Sequence, residues 1–153
     1  MSYWRNLLIL VLLQFVAPPL WACSRPPGEA QPTEGELVQK AKAVFVAHVY
    51  RTTEGSRSID SSEKLFPVVE GEFRVIEVLK GVPPSNGKVT TLVPSPGNCA
   101  VLLVAGVDYV FFIQEGHDFI WWPDGSQAFT NLHATEPKRF LERLRTLATE
   151  RPQ

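Results

Sequence analysis

The sequence has only two cysteines, no surplus of charge and no apolar run long enough to cross a membrane. Its 15 basic and 16 acidic residues give a formal net charge of −1. This balance gives no electrostatic reason to expect nucleic acid or anionic lipid as a partner. The apolar run near the N-terminus is shorter than the roughly 20 residues of a membrane-spanning helix. We therefore expect no nucleic-acid partner, and no membrane contact unless a lipid is added.

Motifs of catalysis and of metal binding are also lacking. There is no G-x-S-x-G motif, and none of His48, His117 and His133 has a second ligand at the spacing of a metal site. Glu70 and Glu72 can share a strand face, but nothing nearby supplies a base, a nucleophile and a stabilising group together. The sequence therefore predicts a protein that is not an enzyme and has neither a cofactor nor an intrinsic metal.

Residues 1–22 have the features of a signal peptide. Arg5 precedes the apolar run from Leu7 to Leu13, and two prolines end the apolar region before Ala22. We expect cleavage after Ala22, with an uncleaved N-terminal anchor as the alternative. Residues 23–153 would then form one domain, in a secreted, periplasmic or extracellular protein.

Cys23 would be the first residue of the mature chain, and three fates are open to it. A disulfide with Cys99 would close a loop of about 75 residues and stabilise the fold by roughly 4 kcal/mol. The segment from Leu20 to Cys23 also resembles a lipoprotein signal, and lipidation would anchor the protein at Cys23. Thirdly, the new α-amine, with an ordinary pKa of about 7.7–8.0, could chelate a metal together with the carbonyl oxygen of Cys23. The even number of cysteines favours the disulfide over the lipid.

The pattern of the chain predicts about five short strands and two helices. The form Thr33-x-x-Glu36 is a capping box that begins a short helix over residues 33–42. An apolar stripe that ends at Ala148 predicts a C-terminal helix over residues 136–149. The expected strands are residues 43–50, 72–79, 88–93, 108–114 and 128–131. These elements indicate a mainly β fold with flanking helices, a small five-stranded β-barrel of the oligonucleotide/oligosaccharide-binding (OB) type.

Three local patterns carry further expectations. The polar residues 51–64 predict a mobile loop or a long hairpin tip. The alternation along residues 72–79 slips by one position, which is typical of a β-bulge or of a strand buried on both sides. Trp121 and Trp122 predict one ring in the core and one on the surface in preference to a binding platform.

Five features occur in a fixed order along the chain. They are Cys23 directly after the predicted signal peptide, the strands AVFVAHV (43–49) and EFRVIEVLKG (72–81), the loop VPSPGNC (93–99) and the strand YVFFIQEG (109–116). Taken together, they resemble the inhibitory domain of the tissue inhibitors of metalloproteinases, a netrin-like module, in a minimal, bacterial-type form. Arg25 stands where that family has its second cysteine, and the family's other disulfides are absent.

The resemblance implies a Cys23–Cys99 disulfide and a function for the new N-terminus. The amine and carbonyl of Cys23 would bind the catalytic zinc of a target metalloproteinase, and Ser24 would point into its specificity pocket. The other half of the contact ridge would come from the residues beside Cys99, namely Pro96, Gly97 and Asn98. We therefore expect a secreted, monomeric metalloproteinase inhibitor. The alternative is a non-inhibitory module, secreted or lipid-anchored, that binds a protein or a glycan.

Overall fold

The computed structural model describes residues 30–59, 63–95, 98–116 and 118–150. The predicted signal peptide and Cys23 lie outside these ranges. The five strands are β1 (Ala43–Ser58), β2 (Leu65–Lys80), β3 (Lys88–Leu92), β4 (Val107–Ile113) and β5 (Gln127–Phe129), and the two helices are α1 (Glu34–Lys40) and α2 (Thr135–Thr149).

The strands form one antiparallel sheet in the order β3-β2-β1-β4-β5. The expectation of a mainly β fold with a C-terminal helix is confirmed. Among the described residues, no helix is both long enough and apolar enough to cross a membrane.

Helix α1 begins at the predicted capping box. The backbone N–H of Glu36 donates to the hydroxyl of Thr33 (3.2 Å), and the backbone N–H of Thr33 donates to the Glu36 carboxylate (2.7 Å). This reciprocal pair satisfies donors that the first helical turn leaves without intrahelical partners. Val38 then points into the core and is 2% exposed.

Helix α2 packs its predicted apolar stripe on the same side of the sheet as α1. Leu141 and Leu144 are buried, and Phe140, Leu147 and Ala148 pack against the same apolar cluster. Two bidentate ion pairs hold the helix in place. Arg143 donates to Glu34 of α1, and Arg145 donates to Glu77 of β2.

The sheet is apolar on both faces along its central strands. Alternate residues of β1 enter two different clusters, because successive side chains of a strand point to opposite faces. Phe45 and Ala47 belong to a cluster built around Phe73, Tyr109 and Phe111. The cluster on the opposite face includes Val44, Val46 and the residues contributed by the two helices.

Strands β1 and β2 form a long hairpin that includes residues 51–58 of the polar segment 51–64. The expectation of a loop is wrong for residues 51–58, which continue β1 and pair with β2 as far as Ser58 opposite Leu65. The alternative expectation of a long hairpin is the better description. Polar side chains persist here because charges on neighbouring strands pair with one another, as in the contact between Arg51 and Glu72.

The slip in the pattern of β2 corresponds to β-bulges. The register with β1 shifts between Val46 and Ala47, where Ile76 is the extra residue of β2, and again between Val44 and Phe45. A strand buried on both sides is excluded, since Ile76 is 51% exposed and Val78 is 48% exposed. Bulges bend a strand and strengthen its local twist, and this half of β2 has no pairing with β3.

A short segment after β4, residues 118–121, contacts the far edge of the sheet. The backbone N–H of Thr90 in β3 donates to the carbonyl of Asp118 (2.9 Å), and Ile120 donates back to the carbonyl of Thr90 (2.8 Å). These bonds form an isolated parallel bridge between Thr90 and Phe119. The bridge lies outside the five-stranded sheet, which is itself not closed.

Candidate functional site

Cys99 lies in a loop whose backbone is hydrogen-bonded to residues 121–122. The backbone N–H of Trp122 donates to the carbonyl of Cys99 (3.1 Å), and Ala100 forms an antiparallel bridge with Trp121. The side chain of Cys99 is partly exposed. The backbone of Cys99 is therefore fixed by its neighbours, and the residue is not fully buried.

Four of the residues predicted for the site lie outside the described ranges. They are Cys23, Ser24, Pro96 and Gly97. The proposed pairing of Cys23 with Cys99 and the proposed contact ridge consequently stay predictions. Asn98 and Cys99 are the predicted site residues whose positions are described.

Asn98 holds the loop together with its side chain. Its amide nitrogen donates to the carbonyl of Val93 (2.8 Å) and to the hydroxyl of Ser95 (2.9 Å), and its amide oxygen accepts from the backbone of Ser95 (3.2 Å). A further bond of 3.4 Å comes from the N–H of Ala100. The side chain of Asn98 therefore shapes the path of the chain into Cys99.

The chain after Cys99 alternates between the core and the surface. Val101 and Leu103 are buried, whereas Leu102 is 63% exposed and Val104 is 42% exposed. Tyr109, buried under this segment, accepts a hydrogen bond from the N–H of Val104 and donates one to the carbonyl of Leu102, both at 2.8 Å. Its burial raises the pKa of the phenol, although the bond from Val104 opposes this effect.

The tryptophan pair lies beside this loop, and neither ring is fully buried. Trp121 is partly buried and stacks on Phe119, with 6.4 Å between the ring centroids. Trp122 is 54% exposed. The prediction of one surface ring is thus confirmed for Trp122, whereas Trp121 is only partly buried and is not the predicted core ring. Trp122 adds an apolar surface next to Cys99.

Arg57 connects the hairpin to residues 118–121. Its Nη1 atom lies 2.7 Å from a carboxylate oxygen of Asp118 and 2.8 Å from the hydroxyl of Thr90. The guanidinium carbon lies 5.8 Å from the centre of the Phe119 ring, and Nη1 is 3.7 Å from the carboxylate of Glu70. The Asp118 contact is the largest cause of a raised pKa of Arg57.

Glu70 and Glu72 do share a strand face, and cations surround them. The ammonium of Lys88 lies 3.6 Å from a carboxylate oxygen of each. The hydrogen bond from Arg51 is the main reason that the pKa of Glu72 lies below its ordinary value. Both carboxylates therefore belong to a ladder of alternating charges across the strands, which is a structural arrangement.

Among the residues that the structure describes, His48 and Asp108 form a histidine–carboxylate contact. Nδ1 of His48 lies 2.7 Å from Oδ1 of Asp108, and the two residues are opposite each other on β1 and β4. Such a bond fixes the orientation of the imidazole ring. No group of three or more His, Cys, Asp or Glu residues that could hold a metal occurs in the described ranges.

Sequence reasoning did not find the partners of Arg57 and His48. Asp118 is 61 residues from Arg57, and Asp108 is 60 residues from His48. His48 and Asp108 meet because they stand opposite each other on β1 and β4, whereas Asp118 reaches Arg57 because residues 118–120 lie against the edge of β3. The charged positions within the predicted loop 51–64 were the available signal, since alternating polar residues also suit an exposed hairpin.

No protein-family model matches the chain, and no curated protein matches it either. The resemblance to the tissue inhibitors of metalloproteinases therefore rests on the quoted sequence segments.

Proposed function

We propose that the protein is a secreted inhibitor of zinc metalloproteinases that acts through the N-terminus created by cleavage before Cys23. The amine nitrogen and the carbonyl oxygen of Cys23 would together coordinate the zinc of the target protease. This contact would displace the zinc-bound water, which such a protease needs as its nucleophile. Inhibition would then require no chemistry by the inhibitor itself.

The observation that carries this proposal is the fixed backbone at Cys99. The bond from Trp122 and the hydrogen bonds of Asn98 define the chain on both sides of the cysteine. A disulfide from Cys23 to such a point would hold the new N-terminus on a rigid support. Less conformational entropy would then be lost when the N-terminus binds a protease, which strengthens binding.

We also propose that residues 118–121 complete the sheet to a small OB-type barrel. Support comes from the two backbone hydrogen bonds that Thr90 makes with Asp118 and Ile120 at the β3 edge. Residues 127–129, only a few positions later, pair with β4 at the opposite side. The same stretch of chain thus reaches both sides of the apolar cluster around Phe45, to which Ile120 belongs.

An N-terminal extension gives the direct test of the inhibitory mechanism. The mature chain that starts at Cys23 is compared with a variant that has one alanine before Cys23, in assays on catalytic domains of zinc metalloproteinases. We expect inhibition by the native N-terminus and its loss in the extended variant, because the extra residue moves the amine off the zinc. A variant with one alanine after Gln153 is the matched control and should inhibit normally.

Two results would contradict the proposal. Equal inhibition by the extended and the native protein would exclude coordination through the Cys23 amine. Absence of inhibition by the native protein across a broad set of such proteases would exclude the function. The intact mass of the exported protein checks its chemical basis, because it shows the cleavage site and any lipid. It also shows whether the hydrogens lost on disulfide formation are missing.

The second candidate function is a non-inhibitory binding module for a protein or glycan. It is favoured by exposed apolar side chains near the bulged end of β2, since contiguous apolar surface often marks a contact site. The residues concerned are Val75, Ile76, Val78 and Val82, which are between 39% and 80% exposed. Acetylation of the N-terminus distinguishes the candidates, because it would abolish inhibition by Cys23 and leave binding at this surface intact.

A further inference from the structure

We propose that Arg57 is a positioning residue that couples the β1–β2 hairpin to the Cys99 loop by holding residues 118–122 against β3. This coupling would govern local motions of the fold and does not depend on the inhibitory function. It rests on three consecutive contacts, each from a different part of the chain.

The first contact is made by Arg57 from the outer part of the hairpin. Arg57 stands opposite Phe66, beyond the last pair of β2 with β3, which is Val68 with Leu92. Strand β4 accompanies β1 only as far as Val49. The outer hairpin thus has few backbone connections to the remaining sheet, and the side chain of Arg57 reaches back across it to Asp118.

The second contact joins Asp118 to β3. Arg57 binds both the Asp118 carboxylate and the hydroxyl of Thr90, so one guanidinium joins two residues whose backbones are also hydrogen-bonded to each other. Thr90 is fully buried. The cation lies over the ring of Phe119, which is part of the same short segment. Loss of the guanidinium would therefore leave residues 118–120 joined to Thr90 by the two backbone hydrogen bonds and by a longer bond of 3.3 Å from the Thr90 hydroxyl to the Asp118 carboxylate.

The third contact passes from this segment to the candidate site. Ile120 donates to Thr90, and two residues later Trp122 donates to the carbonyl of Cys99. Trp121 and Ala100 pair directly between these points. Movement of residues 118–122 away from β3 would consequently release the backbone contact that fixes Cys99.

Amide hydrogen exchange, measured by NMR on the mature chain, tests this coupling. In R57Q we expect the amides of Ile120 and Trp122 to exchange about five- to tenfold faster, because a partly exposed ion pair contributes less than a buried charge-assisted hydrogen bond. R51Q is the matched control. Arg51 lies on the same strand and pairs with Glu72, but no contact joins it to residues 118–122 within the described chain. In R51Q the amides of Ile120 and Trp122 should exchange at rates close to those of the native protein.

Ionic strength provides a readout that a packing role alone would not change. Added salt should speed exchange at Ile120 in the native protein, because Arg57 is 40% exposed and its ion pair is screened. The same salt should have little effect in R57Q. D118N should give much of the effect of R57Q, and the double variant should add little to R57Q, since both remove the ion pair between Arg57 and Asp118.

The amide of Phe111 in the central strand β4 is the internal reference. Equal acceleration at Phe111 would mean global destabilisation and would overturn the proposal. So would equal rates at Ile120 in R57Q and R51Q, or faster exchange at Ile120 with none at Trp122. Failure of the N-terminal inhibition test would leave these outcomes unaffected.

Discussion

The side-chain ammonium of Lys80 lies 2.6 Å from the carbonyl oxygen of Ala41, where α1 ends. It also donates to the carbonyls of Val38 (2.7 Å) and Gln39 (2.9 Å). The last carbonyls of a helix have no intrahelical donors, and the helix dipole favours a positive charge there. The end of β2 therefore caps α1 and attaches it to the sheet.

Replacement of Lys80 by methionine should lower the free energy of unfolding by about 2 kcal/mol, because carbonyls lose bonds from a charged donor. Urea denaturation measures the change. K138M, on the exposed surface of α2, is the matched control, since lysine and methionine have similar helix propensities. Equal stability of K80M and K138M would show that the cap contributes nothing.

Gly81 should tolerate no side chain, for two separate reasons. Its φ is +65°, a left-handed conformation, and a Cβ atom would lie 2.0 Å from the carbonyl oxygen of Lys42. We expect G81A to lower the free energy of unfolding by about 3–5 kcal/mol, because both backbone strain and a steric clash with the Lys42 carbonyl contribute.

Gly106 provides the comparison for this substitution. Its φ is +87°, but no atom lies within 4 Å of the position of a Cβ. G106A should therefore lower the free energy of unfolding by only about 1–2 kcal/mol, the cost of placing alanine in a left-handed conformation. Thermal or urea unfolding of both variants checks the difference. A similar cost at Gly81 and Gly106 would contradict the steric argument.

Removal of the Tyr109 hydroxyl should destabilise the segment beside Cys99. In Y109F the N–H of Val104 and the carbonyl of Leu102 lose their partner, which we expect to cost about 2–4 kcal/mol. Y50F is the control, since Tyr50 is 56% exposed. Denaturation curves should show a much smaller change for it, and a comparable loss in Y50F would argue against a special role of the buried hydroxyl.

Tyr109 should also make the fold sensitive to alkali. Burial raises the pKa of Tyr109 in the folded state above its ordinary value of about 10, so the folded protein retains a proton that the unfolded chain releases. Its contribution to stability is complete below pH ~10 and is lost as the pH rises through the folded-state pKa. The free energy of unfolding can be measured at several values between about pH 8 and about pH 11. Over this range it should fall less steeply in Y109F than in the native protein. Parallel curves would exclude this linkage.

The ion pairs of α2 should produce the opposite dependence in acid. Hydrogen bonds from Arg143 and Arg145 are the main reason that the pKa values of Glu34 and Glu77 are lowered in the folded state. Their stabilisation is present above about pH 4.5 and is lost as the pH falls through the lowered values. The E34Q/E77Q double variant should be less stable at pH ~7 and should approach the native protein in acid.

Urea denaturation at several pH values measures this convergence. The effect is expected to be modest, since both carboxylates are partly exposed and salt screens them. A stability difference that stays constant from neutral to acidic pH would show that the two ion pairs do not cause the acid dependence.

Local signals were sufficient for most of the secondary structure. The capping box at Thr33 and the apolar stripe through Leu141 and Leu144 located both helices within a few residues. The slip in the β2 pattern correctly indicated a bulge near Ile76. These features depend on neighbours within one or two turns of the chain, so the sequence alone contains them.

The outer hairpin and the candidate site depend on contacts distant in sequence. Residues 51–58 lack apolar alternation, and they form a strand by pairing with residues 65–72 of β2. Arg51 and Arg57 add ion pairs with carboxylates distant in sequence. The sequence predicted Cys99 as a residue of the site, but it did not predict the hydrogen bond from Trp122 that fixes the backbone there. Such partners become predictable only when the strand register is known.

The bulges of β2 also limit how this protein can associate with other chains. An edge strand with regular backbone groups can recruit a further strand and so begin aggregation. Here the pairing with β3 ends at Glu72, and the extra residue at Ile76 disturbs the spacing of hydrogen-bonding groups just where apolar side chains are exposed. Pro83 and Pro84, in the connection to β3, bring no N–H donors of their own. The surface around Val75 and Val78 can thus offer hydrophobic contact to a partner without serving as a template for fibre growth.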